Sequence, residues 1–250
     1  MNILIFDTET TSLDKPFCYN VGYLIFDTEE QQAVLKRDFV VEQIWHNLPL
    51  FQTAYYAEKR PLYVSAMKGK TTRMEKWGYI TQQMCRDIKN YEVSSAYAYN
   101  SPFDEKVFNF NSEWFKTINP FDNVPIFDIR GYAHNFICNT PEYEKFCEDE
   151  KLFTDAGNYS TTAEAVFRYI EQDPDFEEAH TALADAEIEL EILTETMIEG
   201  AELEKDYPVK FSFERRVEKT LSIIKNKEEI ASFKYYKMTV SKDKKKITLK

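Results

Sequence analysis

The chain has no apolar run approaching the roughly 18 residues that a membrane-spanning helix requires. No secretory leader is expected, since Met1-Asn2-Ile3-Leu4-Ile5-Phe6 reaches Asp7 before an apolar region of sufficient length can form, and no basic residues precede it. These absences point to a cytoplasmic protein with no membrane partner. Cysteine is sparse: Cys18, Cys85, Cys138 and Cys147 are scattered, with no C-x-x-C pair. That excludes a tight zinc cluster and leaves four reduced, mostly buried thiols. There is no internal repeat, and no Ser or Cys sits in a motif that would mark it as a covalent nucleophile.

What is present fits a packed protein: 43% of the 250 residues are hydrophobic and 30% are charged. The length suits one sizeable domain with an appendage. The net charge of −12 hides an asymmetry, because residues 205–250 hold 14 Lys and Arg against 6 Asp and Glu, leaving 17 against 37 in residues 1–204. We therefore divide the chain into a main domain, 1–204, and a basic C-terminal extension, 205–250. A body this acidic repels a long polyanion and argues against a broad duplex-binding groove. A small site screened by metal ions remains compatible with it.

Asn2 to Phe6 is a short apolar run that reads as a buried strand. Tyr19 to Phe26 and Ala33 to Val41 complete an antiparallel meander. Residues 43–70, broken by Pro49 and Pro61, show no clean period. Arg73 to Asn90 reads as one helix, with Met74, Trp77, Ile80, Met84 and Ile88 at helical spacing. Val93 to Tyr99 reads as a strand, and residues 119–141 as a loop-bearing connection with a short strand near Val124 to Phe127. From Thr161 the chain is helical, with a break around Asp173-Pro174. In the last helix Ala182, Ala186, Leu190, Leu193 and Met197 form an apolar stripe, which places Glu on the outer face. The sum is an α/β domain with a mixed sheet flanked by helices. The segment Ala231 to Leu249 alternates and turns near Ser241-Lys242-Asp243-Lys244, giving a small β-rich appendage.

The chemistry gathers around carboxylates. In Phe6-Asp7-Thr8-Glu9-Thr10-Thr11, residues two apart on a strand project to one face, so Asp7 and Glu9 can converge. Unit charges about 4 Å apart repel by roughly 4 kcal/mol at an effective dielectric of 20. A divalent cation removes that penalty, and oxygen ligands suit Mg²⁺ or Mn²⁺. The plainer alternative is a strand end with two solvated acids. Phe26-Asp27-Thr28-Glu29 repeats the same four letters, but an antiparallel hairpin would place its end opposite the first, so only one copy can serve the site.

Two later segments join Asp7 and Glu9: Asn100-Ser101-Pro102-Phe103-Asp104, and His180-Thr181-Ala182-Leu183-Ala184-Asp185. Together and in this order they resemble the motifs of the DEDDh 3′→5′ exonucleases of the ribonuclease H-like fold, a family that includes proofreading subunits, ribonuclease T and oligoribonuclease. The resemblance covers roughly residues 1–197, and residues 43–92 match poorly. Ser12 stands where the family has Gly, and Tyr99 where it has His.

The resemblance implies that Asp7 bridges two divalent cations, Mg²⁺ or Mn²⁺, that Glu9 and Asp185 complete the first site, and that Asp104 holds the second. His180 becomes the general base, which its near-neutral pKa suits. Thr10, Leu13, Asn100 and Phe103 align with positions that contact the terminal nucleotide, although Phe103 reads equally well as core. Five residues of helix turn by about 500°, which would put His180 and Asp185 on different faces. Asp185 is therefore expected in the first helical turn and His180 in the segment before it. His46 and His134 have no such company and read as structural or surface residues.

The implied activity is release of nucleoside 5′-monophosphates from single-stranded 3′ ends, with DNA favoured and a DNA polymerase or replication protein as a candidate partner. The alternatives are an RNA-trimming enzyme of the same fold and a non-catalytic module that binds polymerase or nucleic acid. Lys242, Lys244, Lys245 and Lys246 could grip a phosphate backbone, but a solvated hairpin is the preferred reading.

Overall fold

The computed structural model describes residues 1–209, 238–240 and 247–249. Its first compact unit runs Met1–Val209 and its second Lys210–Lys250. The first unit is built on a sheet of six strands, in the order β4-β3-β2-β1-β5-β6. These are β1 Asn2–Thr10, β2 Cys18–Asp27, β3 Gln32–Val41, β4 Arg73–Glu75, β5 Val93–Ala98 and β6 Ile126–Asp128. β1 pairs antiparallel with β2 and parallel with β5, so the sheet is mixed.

The central strands are apolar without alternation because both faces are covered, as burial on two sides demands. Leu4 and Phe6 enter one core with residues of α4 Trp77–Asn90 and α5 Ser101–Phe115. Ile3 and Ile5 enter the other, with residues of α6 Ile129–Ala133, α8 Ala163–Glu171 and α9 Ala182–Ile198. α7, Pro141–Asp149, contributes Tyr143 and Cys147 to that second core. Cys18, Cys138 and Cys147 are buried, and Cys85 is partly exposed.

Several local expectations are corrected. β1 does not end at Phe6 but continues through Thr10, carrying Asp7 and Glu9 within the strand. The helix read from Arg73 begins only at Trp77, because Arg73–Glu75 pairs with β3 and Lys76 is extended, at φ −72° and ψ 146°. Residues 119–141 hold α6 and a π-helical turn, His134–Cys138, besides the short strand. The unreadable stretch folds as three short helices, α1 Glu42–Trp45, α2 Leu48–Phe51 and α3 Arg60–Gly69, with a 3₁₀ turn at Ala57–Lys59.

One glycine decides where α9 sits. A Cβ at Gly22 of β2 would lie 2.0 Å from Leu183 N, so only glycine lets the start of α9 press onto the sheet. Beside it, the buried Asn20 side chain accepts the Ala182 N–H at 2.8 Å and donates to Asp38 Oδ1 at 2.6 Å. An otherwise orphaned amide in the first turn of α9 is thereby satisfied from within the sheet.

At the end of the first unit, Tyr207 packs edge-on to Tyr132 and Phe136. In the second unit, β7 Met238–Val240 pairs antiparallel with β8 Ile247–Leu249. The expected turn at Ser241–Lys244, together with Lys245 and Lys246, lies outside the described residues. Among the described residues no helix is long and apolar enough to cross a membrane.

Candidate active site

The site forms at the end of β1, where three elements meet. Asp7 and Glu9 lie on β1 opposite Gly22 and Asn20 of β2, whereas Asp27 pairs with Asn2 at the far end of the hairpin. The second D-T-E is thus removed from the site by the antiparallel register.

Asp104 arrives from the other core. Asp128 Oδ1 accepts the Asn100 N–H at 2.8 Å and the Arg130 N–H at 3.0 Å, which holds the turn after β5. Asn100 takes a left-handed conformation, φ 62°, that asparagine tolerates better than most residues. Pro102 then opens α5, and Asp104 stands buried in its first turn. Thr8 Oγ1 donates to Asp104 Oδ1 at 2.6 Å, tying that carboxylate to β1.

α9 brings Asp185 in its first turn, and His180 precedes the helix with φ 51°. Ligand atoms of Glu9, His180 and Asp185 all lie within 4.8 Å of one another. Tyr19 Oη donates to Glu9 Oε2 at 3.3 Å.

The electrostatics are those of acids crowded away from water. Burial pushes Asp7 up to about 7, against a backbone hydrogen bond at Thr8. Burial raises Glu9 well above the ordinary range, and the charges of Asp7 and Asp185 add to it. Burial and then Asp7 raise Asp104. Asp185 is pushed to about 9 by burial, with Asp7 and Glu178 contributing. Burial and nearby Lys59 lower His180, which favours its neutral form.

The donor set fits divalent cations. Oδ1 of Asp185 is buried without a hydrogen-bond partner, and mutually repelling carboxylates lose their penalty once a cation sits among them. Asp7, Glu9, Asp104 and Asp185 are the residues that could hold such ions.

The expected nucleotide contacts are less uniform. Thr10 is partly buried, and its hydroxyl lies 3.3 Å from the Ser12 carbonyl. Leu13 is 76% exposed, with its carbonyl accepting from Lys106 Nζ at 2.7 Å. Asn100 is exposed, while Phe103 is partly buried against the first core. His46 is exposed, and the buried His134 has Nδ1 3.0 Å from the Asn139 amide.

Three residues at the site escaped the sequence reading. Glu189 was placed with the outward glutamates, yet it is buried, with Oε2 unpartnered. Burial and the charges of Asp7 and Asp104 hold its carboxyl well above the usual range. Its position four residues after Asp185, one helical turn on, was the signal available. Glu178 stands beside His180, pushed up to about 7 by burial and by Glu164 and Asp7. Tyr56 lies face to face with the His180 ring.

Among solved structures, the nuclease domain of 3'hExo, a DEDDh family member bound to rAMP, matches with a TM-score of 0.55 and 13% identity, over 80% of this chain and 92% of that one. The fold is that of a DEDDh nuclease domain. E. coli Exonuclease I, in complex with a dT13 oligonucleotide, matches with a TM-score of 0.51 and 15% identity over 92% of this chain, which spans 45% of that protein. No family model matches the sequence, and no curated protein resembles it significantly. The mixed sheet flanked by helices thus agrees with the ribonuclease H-like class expected from the three segments.

Proposed function

We propose that this protein is a divalent-cation-dependent 3′→5′ exonuclease acting on single-stranded 3′ ends, with DNA preferred, and that residues 1–204 carry the activity. The observation that supports this most is the convergence of Glu9, His180 and Asp185 within 4.8 Å, with the charge of Asp7 acting on both Glu9 and Asp104. The acids come from β1, α5 and α9, and a packing role alone gives no reason to crowd them.

Asp7, Glu9 and Asp185 would hold one divalent cation, and Asp7 and Asp104 would hold a second, Mg²⁺ or Mn²⁺. When bound, such ions polarise the phosphate and lower the pKa of a coordinated water. His180, kept neutral, takes the proton of the water that attacks the last phosphorus atom. A new P–O bond forms as the bond to the preceding 3′-oxygen breaks. That oxygen gains a proton from solvent, and a nucleoside 5′-monophosphate leaves. Leu13 and Phe103 flank the terminal base, Thr10 and Asn100 offer polar contacts, and Thr8 keeps Asp104 aimed at β1.

The test incubates the protein with 5′- and 3′-labelled DNA and RNA oligonucleotides, with Mg²⁺, Mn²⁺ or EDTA. We expect a ladder shortening from the 3′ end, mononucleotide product and silence in EDTA. Cleavage that persists in EDTA, or that starts from the 5′ end, overturns the proposal, and faster loss of RNA than of DNA overturns the sugar preference.

A further inference from the structure

The side chains that hold His180 come from outside the motifs that pointed to the site. The Tyr56 ring stacks on the imidazole with centroids 4.0 Å apart and planes 12° from parallel. Lys59 Nζ, one turn further on, donates to the Ala179 carbonyl at 2.7 Å. On the other side, Glu178 Oε2 lies 3.6 Å from His180 Nδ1. Glu178 is itself tethered, since its N–H donates to Glu164 Oε2 at 3.4 Å.

Two further facts separate this arrangement from ordinary packing. His180 adopts φ 51°, a left-handed conformation that costs a non-glycine residue and persists only where the surroundings over-determine it. Tyr56 is only partly buried, and its neighbour Tyr55 is 85% exposed, so this stretch is not filling a core.

We propose that Tyr56 and Glu178 are positioning residues that fix the plane and the tautomer of the His180 ring. Tyr56 sets the plane by stacking. The carboxylate of Glu178 beside Nδ1 favours the tautomer with its proton there, which leaves the Nε2 lone pair free to accept a proton from water. The catalytic consequence rests on the exonuclease reading, whereas the state of the ring does not, and the two can be tested apart.

The chain has three histidines, so the full-length, metal-free protein labelled with ¹⁵N-histidine gives few ring signals. Long-range ¹H–¹⁵N correlation should show one ring, assigned by its loss in His180→Gln, with the proton on Nδ1 and its carbon-bound protons shifted upfield by Tyr56. Tyr56→Ala should remove the upfield shift, and Glu178→Gln should move the proton towards Nε2. On a labelled oligonucleotide, Tyr56→Ala should lower kcat roughly 10- to 100-fold with little change in KM. Tyr56→Phe, which keeps the stack, should recover most of that loss. A wild-type ring protonated on Nε2, or a Tyr56→Ala protein with an unmoved ring signal and full kcat, overturns the inference and leaves the exonuclease reading standing. A wild-type protein that cleaves no oligonucleotide while its ring behaves as described overturns the exonuclease reading alone.

Discussion

Gly22→Ala tests whether the seat of α9 on the sheet sets the geometry of the site. The added Cβ would meet Leu183 N at 2.0 Å, the Ala182 carbonyl carbon at 2.2 Å and Leu183 Cα at 2.4 Å, all backbone atoms. Reaching an ordinary contact of 3.4 Å from 2.0 Å requires a retreat of about 1.4 Å, and no flexible side chain can absorb it. Overpacking of this kind costs about 1–3 kcal/mol. The lost Ala182–Asn20 hydrogen bond adds about 1 kcal/mol. Misplacement of a reacting group by about 1 Å can cost about 100-fold in rate. Asp185, three residues beyond Ala182, moves with the helix while Asp7 and Glu9 stay with β1. We therefore expect kcat on a 5′-labelled single strand in Mn²⁺ to fall about 100-fold, in a protein whose circular dichroism matches the wild type at 20 °C and whose Tm is lower. A folded Gly22→Ala protein with a wild-type rate would refute the claim that this close approach positions Asp185.

Asp7→Asn keeps the shape of the side chain but removes the charge shared by the proposed cation sites; turnover should fall by at least about 1,000-fold with an unchanged far-UV spectrum. In the metal-free protein Asp7, near 7, and Asp185, near 9, keep protons that unfolded aspartates lose around 3.8, so the folded state binds more protons over that range. Stability should accordingly fall as pH rises from about 4 towards 9, and calorimetry should find the Tm gain on adding Mg²⁺ larger at pH 8 than at pH 5. A flat metal-free Tm from pH 5 to pH 8 would count against the crowded cluster. Glu189→Gln should raise the metal-free Tm at pH 8 and flatten its pH dependence, because it removes one acid from beside Asp7 and Asp104; a lower Tm at every pH would contradict this.

What could be read in the sequence divides along physical lines. Asp7 and Glu9 were legible from their two-residue spacing after an apolar run, and Asp104, His180 and Asp185 from the resemblance of their segments to the motifs of a known family. Asn2 to Phe6 was visible because a strand buried on both faces is continuously apolar, and Val93 to Ala98 because its short β-prone run ends at the turn residues Asn100-Ser101-Pro102. The helices within residues 42–69 were not visible, because their anchors Trp45, Phe51 and Tyr63 are set by tertiary packing and two of the helices span four residues each. Met74 falls in step with the helix that follows, and only the neighbouring β3 edge makes it strand. Glu189 hid among Glu187 and Glu191, since acids on alternate positions of a helix look like a solvated face until one of them is found turned inward. Tyr56 and Glu178 carry no spacing signal, because their meaning lies in a ring that is distant along the chain or held by a bent backbone.

The order in which the pieces leave the ribosome follows from the Asn20 and Gly22 seat. β1, which carries Asp7 and Glu9, is made before Ala182 and α9, which follow more than 150 residues later. A chain not yet extended through residue 185 thus has Asp7 and Glu9 without His180 and Asp185 beside them.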